Sequence, residues 1–160
     1  MPKNPNTPLV SVIIPTYNES QNLPKLVTDL FSLPLDISIL VVDDNSPDGT
    51  GKIADDLAVK YPGRLSVHHR PGKLGLSSAY LQAFQSLAQT DVELIVQMDA
   101  DFSHDPSALI KMTQTIESYD LVLGSRYIPG GSTDGNWPIW RKGLSAWGNF
   151  YARTILGMPI

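Results

Sequence analysis

Short apolar runs alternate with stretches of helical periodicity along this chain, and that alternation constrains its fold more than any other feature. Strands are predicted at residues 9–14, 37–42, 65–68, 92–98 and 120–124. Helices are predicted at residues 23–31, 49–60, 77–87, 107–118 and 140–156. Strands and helices that alternate in this way are typical of a mainly parallel sheet with helices on both faces. The pattern therefore predicts a three-layer α/β fold.

Local signals indicate the ends and inner faces of several helices. Ser20 or Asn22 can cap the first helix, and Asp105 can cap the fourth because Pro106 follows it. The third helix is expected to turn four residues toward the sheet, namely Tyr80, Leu81, Phe84 and Leu87.

Composition narrows the class of protein. The 160 residues are 42% hydrophobic, which is enough for one domain with a substantial core, and they include no cysteine. A disulfide scaffold and a thiolate zinc site are therefore excluded. Residues 1–125 carry 8 basic and 15 acidic groups, whereas residues 126–160 carry 4 basic and 1 acidic group. An acidic domain without a basic stripe argues against nucleic acid, and its basic last segment suits a phosphorylated ligand.

The first residues differ in character from the rest. Residues 1–8 are polar and rich in proline, and they lack the apolar centre of a signal peptide. No run approaches the roughly 18 apolar residues of a membrane span. We interpret residues 1–8 as a tail and residues 9–160 as one domain, and we expect a cytoplasmic protein.

Polar residues follow four of the five predicted strands. They are Pro15-Thr-Tyr-Asn-Glu19, Asp43-Asp44-Asn-Ser-Pro-Asp48, Asp99-Ala-Asp101 and Gly124-Ser125-Arg126. Ligands of open parallel sheets bind outside the carboxyl ends of the strands. These four segments are therefore expected to converge on one site.

Asp99 and Asp101 end the apolar run of the fourth strand, two residues apart. In extended backbone both carboxylates point to the same side. Two carboxylates suit a hard cation such as Mg²⁺ or Mn²⁺, whose remaining positions are filled by substrate phosphates. The alternative is that both acids cap the following helix, but Asp105 already serves that purpose.

Three motifs taken together resemble the family 2 inverting glycosyltransferases. They are Val12-Ile-Ile-Pro-Thr-Tyr-Asn-Glu19, Val41-Val-Asp-Asp-Asn-Ser-Pro-Asp-Gly-Thr50 and Met98-Asp-Ala-Asp-Phe-Ser-His104. Three more are similar to the polyprenol-phosphate (dolichol-phosphate) mannose synthases, namely Lys73-Leu-Gly-Leu-Ser-Ser-Ala-Tyr80, Gly124-Ser-Arg-Tyr127 and Asn136-Trp-Pro-x-x-Arg-Lys142. The resemblance covers residues 11–153. It implies a GT-A (Rossmann-like) fold that transfers mannose, with metal, from GDP-mannose to a polyprenyl or dolichyl phosphate.

The same resemblance implies residue roles. The residues expected to hold the nucleotide sugar are Pro15, Tyr17, Glu19, Val42, Asp44 and Asp99. The residues expected to hold the metal are Asp99 and Asp101, with Ser103 as a weak third candidate. Tyr17 either stacks on the base or packs in the core, and His104 is expected to shape its loop rather than to bind metal.

The basic residues are expected to bind the acceptor. A lipid phosphate is already anionic and needs no general base, but it needs cations near a second phosphate group. The residues expected to supply them, with one hydroxyl, are Arg126, Arg141, Lys142 and Ser145. The resemblance makes Asp101, Arg126 and Arg141 catalytic, whereas a solvated helix face is the alternative for Arg141 and Lys142.

Other interpretations remain open. A UDP-sugar donor is one, an inactive nucleotide-sugar-binding fragment is the second, and a phosphorylated receiver domain is the third. Family members continue with a Thr-Ser-Gly-Phe-Arg-like stretch that this sequence lacks, so we expect a chain truncated at its C-terminal end. We expect peripheral attachment at the cytoplasmic face of a membrane, since basic and aromatic residues mix in residues 137–150.

Overall fold

The computed structural model describes residues 9–125 and 138–157 of the chain. It divides into two compact units, Met1–Gln114 and Thr115–Ile160. The strands are β1 (Leu9–Thr16), β2 (Asp36–Asp43), β3 (Leu65–His69) and β4 (Leu94–Gln97). The helices are α1 (Leu23–Phe31), α2 (Thr50–Lys60), α3 (Leu76–Leu87), α4 (Ala108–Thr115) and α5 (Ile139–Leu156), with a 3₁₀ turn at Ile116–Ser118.

The four strands form one parallel sheet in the order β3-β2-β1-β4. The chain first moves outward from β1 to β3 and then returns to the other side of β1. Crossovers between parallel strands are right-handed, so this reversal places α1 and α2 on one face and α3 on the other. The parallel sheet with helices on both faces confirms the predicted fold class.

β1 is the centre of this sheet because its two faces support two separate cores. Val10, Val12 and Ile14 pack with α1, α2 and α4. Ile13, one position out of phase, packs with α3 through Ala79 and Ala83. This alternation follows the two-residue period of a strand, and apolar residues on both faces are typical of a fully covered parallel sheet.

α1 shows how the sequence specifies one of these helices. Leu23, Leu26, Val27 and Leu30 recur with helical spacing, and all four are buried. The helix begins after Asn22, as expected, but the Asn22 side chain does not cap a backbone N–H group. Its Nδ2 instead donates to Glu19 Oε2 at 2.8 Å, which ties the helix start to the end of β1.

Two predictions about secondary structure and packing are wrong. The strand predicted at residues 120–124 is not formed; Leu121 and Leu123 are largely exposed, and no neighbouring strand in the described chain pairs with them. Leu81 is 62% exposed rather than inward. The small residues Ala79 and Ala83 face the sheet, and Leu81 lies about 200° around the helix from Ala79.

The second unit contains α5 (Ile139–Leu156), whose bounds agree within one residue with the helix predicted at residues 140–156. Its exposed apolar side chains include Trp140, Leu144, Trp147 and Tyr151, and the last two rings stack at 5.4 Å between centroids. Across the described residues, no helix has both the length and the hydropathy needed to cross a membrane.

Candidate functional site

Asp43 is the buried anchor that holds the carboxyl ends of β1 and β2 together. Its Oδ1 accepts hydrogen bonds from Thr16 Oγ1 at 3.0 Å and from Ser46 Oγ at 2.6 Å. Its Oδ2 accepts from the Ser46 backbone N–H at 3.1 Å. Both oxygens of Asp43 therefore already accept hydrogen bonds from the protein itself.

Asp44 has a different environment one residue later. Its Oδ1 pairs with Arg70 Nη1 at 2.6 Å, and the two side chains are 10% and 1% exposed respectively. Among the described residues Arg70 is the only side-chain partner of Asp44, so its second oxygen is available to a ligand. This placement supports the choice of Asp44 over Asp43 as the nucleoside-binding acid, which stays a prediction.

The segment after β1 lies beside these acids. The Tyr17 ring is 37% exposed, so it is not a core residue and can meet a ligand. Lys73 Nζ lies 4.1 Å from its centroid, an attractive cation–π distance. Asn18 has a φ of 64°, and its N–H donates to Ser46 Oγ at 3.1 Å. The β1 and β2 loops are therefore bonded to each other.

Asp48 and Thr50 fix the start of α2 against the start of α1. Asp48 Oδ1 accepts from Thr50 N–H and Oγ1, and its Oδ2 accepts from Ser20 N–H. The Thr50 hydroxyl also accepts from Glu19 N–H at 2.9 Å. The Thr50 hydroxyl is the main reason that the pKa of Asp48 lies well below its ordinary value. Asp48 is thus another anchor of the loops around the site.

Asp99 and Asp101 follow β4, which pairs directly with β1. The Asp99 N–H donates to His104 Nδ1 at 3.2 Å, which links the two ends of this loop. Asp101 Oδ1 accepts from the Ser103 N–H at 2.9 Å. Hydrogen bonds from Ser103 are the main cause of the lowered pKa of Asp101.

Phe102, between the second acid and Ser103, has a φ of 59°. A positive φ is rare for a bulky residue and costs energy, so the surroundings must hold it in place. The Phe102 ring packs against the main core, and Lys25 Nζ lies 4.3 Å from its centroid. The acidic loop is therefore held in a fixed, sharply turned conformation.

The two acids fit a hard divalent cation. Carboxylate oxygens are the ligands that Mg²⁺ and Mn²⁺ accept, and the Asp101 carboxylate is ionised. Within residues 9–125 and 138–157, no group of three or more His, Asp or Glu side chains is gathered for a metal. A two-carboxylate site is consistent with a cation that takes its other ligands from substrate phosphates.

The remaining predicted residues differ in what the structure shows. Pro15 lies in β1, and the Val42 side chain is buried in the second core, so only its backbone could meet a ligand. Glu19 bonds to Asn22. Arg126 and the side chains of Arg141 and Lys142 lie outside the described residues, whereas Ser145 lies on α5.

Sequence reasoning missed Arg70, which follows β3 at the same edge of the sheet. The third strand was predicted at residues 65–68, whereas β3 extends to His69, so Arg70 lay two positions beyond the predicted strand end. The contact of Tyr80 with the site was also missed. Its O–H donates to Asp99 Oδ1 at 3.4 Å, although Tyr80 lies on α3, 19 positions before Asp99 in the sequence.

The fold and the position of these acids define a GT-A domain, with its acidic loop where the strand order reverses beside β1. A mannosyltransferase of Pyrobaculum calidifontis in complex with GDP-Man and Mn²⁺ has a similar fold, with a TM-score of 0.61 over 71% of this chain and 33% of that one. The two sequences are 24% identical, so this likeness concerns the fold alone.

Residues 11–158 match the model of glycosyl transferase family 2, and the chain belongs to that family. It is 47% identical over 150 residues to a polyprenol monophosphomannose synthase of Mycolicibacterium smegmatis, covering 93% of this chain and 56% of that protein. It is 44% identical over 153 residues to an undecaprenyl-phosphate mannosyltransferase of Micrococcus luteus, covering 94% and 61%. The chain therefore spans little more than half the length of these curated relatives.

Proposed function

We propose that this chain is the donor-binding part of an inverting glycosyltransferase that moves mannose from GDP-mannose to a polyprenyl phosphate. The observation that carries the proposal is the placement of Asp99 and Asp101 after β4, directly beside the β1 segment with Tyr17. Two relatives that share more than two fifths of their aligned residues with it are named for mannosyl transfer to such lipids.

The nucleoside is proposed to bind where β1 and β2 end. Tyr17 offers an exposed ring on which a purine can stack. Asp44 offers a carboxylate oxygen that can accept from guanine N–H or ribose O–H groups. Glu19 and the backbone of Pro15 and Val42 would complete the contacts along this edge.

The diphosphate is proposed to bind beside Asp99 and Asp101, which would hold Mg²⁺ or Mn²⁺. When bound there, the cation would offset the negative charge that develops on the leaving diphosphate. Asp101 is suited to this task because the Ser103 N–H donates to its carboxylate and so orients it. Asp99 is held from two sides, by Tyr80 at its carboxylate and by His104 at its N–H.

The acceptor phosphate is proposed to be held by the cations of Arg126, Arg141 and Lys142 and by the hydroxyl of Ser145, one helical turn beyond Arg141. A phosphate monoester is ionised at neutral pH, so it can attack the anomeric carbon without a general base. One displacement on the face opposite the diphosphate, through an oxocarbenium-like transition state, inverts the configuration. A lipid acceptor also implies peripheral binding at the cytoplasmic face of a membrane, and the exposed apolar residues of α5 support this.

Calorimetry with GDP-mannose and UDP-glucose, each with and without Mn²⁺, tests the donor. We expect GDP-mannose to bind more tightly than UDP-glucose, and Mn²⁺ or Mg²⁺ to strengthen its binding. A preference for UDP-glucose would show that the donor is a UDP-sugar, but it would not change the assignment to glycosyl transferase family 2. Binding of neither nucleotide sugar, by a chain shown to be folded by circular dichroism, would reject the proposed function.

A further inference from the structure

We propose that helix α3 positions both acids of the site, fixing Asp44 through Arg70 and Asp99 through Tyr80. This inference rests on the proposed function, since it concerns the nucleoside end and the metal end of the same site. Arg70, Ser78 and Tyr80 are positioning residues in this proposal, because they act on ligand-binding acids rather than on the ligand.

Arg70 connects Asp44 to the first turn of α3. Its Nη1 pairs with Asp44 Oδ1 at 2.6 Å, and its Nη2 donates to Ser78 Oγ in a short hydrogen bond. Ser78 Oγ is itself 2.8 Å from the carbonyl oxygens of Leu74 and Gly75, where it can donate. Because the planar guanidinium group bonds to both, it fixes the Asp44 carboxylate relative to this turn of α3.

Burial shows that Arg70 acts on Asp44 and not directly on a ligand. Its side chain is 1% exposed, whereas that of Asp44 is 10% exposed. Arg70 Nε is buried and has no hydrogen-bond partner in the described structure, which is costly for a charged group. The guanidinium is thus placed by its two outer nitrogens, which point to Asp44 and to α3.

Tyr80 makes the corresponding contact on the other side of β1. Its hydroxyl donates to Asp99 Oδ1 at 3.4 Å, a long hydrogen bond. Its ring packs in the second core and lies 6.5 Å from Phe84, which limits its movement.

The arrangement follows from where α3 lies. Ser78 and Tyr80 are two residues apart and therefore about 200° apart around the helix, so they reach opposite sides. Asp44 follows β2 and Asp99 follows β4, and these strands flank β1 in the sheet. α3 covers this face and keeps the nucleoside acid and the metal acid at a fixed spacing, which a nucleoside diphosphate must match.

Two substitutions separate the two contacts. Arg70→Lys keeps a charge near Asp44 but loses the fork, so we expect about tenfold weaker GDP binding without metal. The factor by which Mn²⁺ improves GDP affinity should stay at its wild-type value. Tyr80→Phe removes only the hydroxyl. We expect metal-free GDP binding within about twofold of wild type and a manganese factor reduced about threefold.

Matched controls are available at residues far from the site. Arg64→Lys is the same change at the opposite end of β3, where Arg64 Nε donates to the Ile37 carbonyl. Tyr61→Phe removes a hydroxyl from a ring that packs on Phe31. Neither control should change GDP affinity or the manganese factor, as measured by calorimetry on folded protein.

The outcomes distinguish this proposal from the proposed function. Arg70→Lys with lowered thermal stability but wild-type GDP affinity would show a purely structural role and overturn the Arg70 part. Tyr80→Phe with an unchanged or larger manganese factor would overturn the Tyr80 part. If Arg70→Lys does not fold, Ser78→Ala decides, because it leaves the charge pair intact and should still weaken GDP binding a few fold. A wild-type chain that prefers UDP rejects the GDP donor, and the same variants then decide the role of α3 with UDP.

Discussion

Asp43 and Asp44 are neighbours in sequence, but their carboxylates have different hydrogen-bond partners. Asp43 is buried and accepts three hydrogen bonds from Thr16 and Ser46, whereas the side-chain partner of Asp44 in the described structure is Arg70, which bonds to one of its oxygens. A carboxylate that already accepts several protein hydrogen bonds has little left to offer a substrate. Asp48 likewise accepts three hydrogen bonds, from Ser20 and from Thr50 at the start of α2, whereas Asp101 accepts from Ser103 in its own loop.

The charge of Asp101 is the first feature to test at this scale. Asp101→Asn can still accept the Ser103 N–H but removes the negative charge. We expect the gain in GDP affinity caused by Mn²⁺ to fall more than about tenfold, with metal-free GDP binding unchanged. Calorimetry measures both quantities. Asp105→Asn, in the same loop, should keep the gain, and equal gains in both variants would contradict the assignment.

The lowered pKa of Asp48 predicts a pH dependence of stability. Because the folded-state pKa lies below the ordinary value of 3.8, the stabilisation is complete well above that value and is lost as the pH falls below it. Asp48→Asn should therefore be less stable than wild type at neutral pH, with a difference that narrows on acidification. Urea denaturation at several pH values measures this. Asp56→Asn, within α2, is the control for the loss of one aspartate charge.

At the scale of elements, α2 is fixed to the sheet by a close approach at Gly51. A Cβ atom there would lie 2.9 Å from Asp43 Oδ2 and 3.3 Å from His69 Cε1. The Asp43 carboxylate cannot move aside without breaking its bonds to Thr16 and Ser46. The glycine is therefore required by packing, although glycine is otherwise unfavourable inside a helix.

Gly51→Ala should destabilise the fold by about 1–3 kcal/mol, because overpacking outweighs the usual gain in helix propensity. Gly148→Ala on α5 is the control, since no heavy atom lies within 4 Å of its added Cβ in the described structure. That change should stabilise its helix by about 0.5–1 kcal/mol. Thermal denaturation followed by circular dichroism compares them, and a stabilising Gly51→Ala would contradict the close packing.

The sequence predicted those elements whose periodicity is strong and local. Residues 23–31 were predicted as a helix, and α1 spans Leu23–Phe31, because four apolar residues recur at helical spacing. It did not reveal that Arg70 pairs with Asp44, since the two residues are 26 positions apart and meet only when β2 and β3 pair. The sequence also predicted a strand at residues 120–124 that does not form. An apolar run becomes a strand only where a neighbouring strand can pair with it.

At the scale of the whole molecule, the proposed site combines segments that are distant in sequence. The order β3-β2-β1-β4 brings residues near 17, 44, 70 and 99 together at the carboxyl ends of the four strands. The acceptor residues fall in the second unit or outside the described residues, so their role stays a prediction from the sequence. Activity must be tested in a longer chain that spans the full length of the relatives.

Arg141→Ala in that longer chain should reduce mannosyl transfer to polyprenyl phosphate far more than it weakens GDP-mannose binding. The reason is that two phosphate groups repel each other unless fixed cations offset their charges. Arg141→Lys should restore only part of the rate, because an ammonium group lacks the planar fork of arginine. Transfer assays beside calorimetry separate the two effects. Full activity in Arg141→Ala would move the acceptor site elsewhere.

β4 has a further consequence, because among the described strands it lies at an edge of the sheet and pairs only through Leu94–Gln97. Short edge strands open locally more readily than central ones, and their amide protons then exchange with solvent. A nucleotide held by β1 and a metal held after β4 would bridge these two strands. GDP with Mn²⁺ at 100 times its dissociation constant should slow exchange in β4 by up to about a hundredfold. Exchange in β3, the outer strand on the other side of the sheet, should change much less. The bound ligand would therefore hold β4 against β1 and stabilise that side of the sheet.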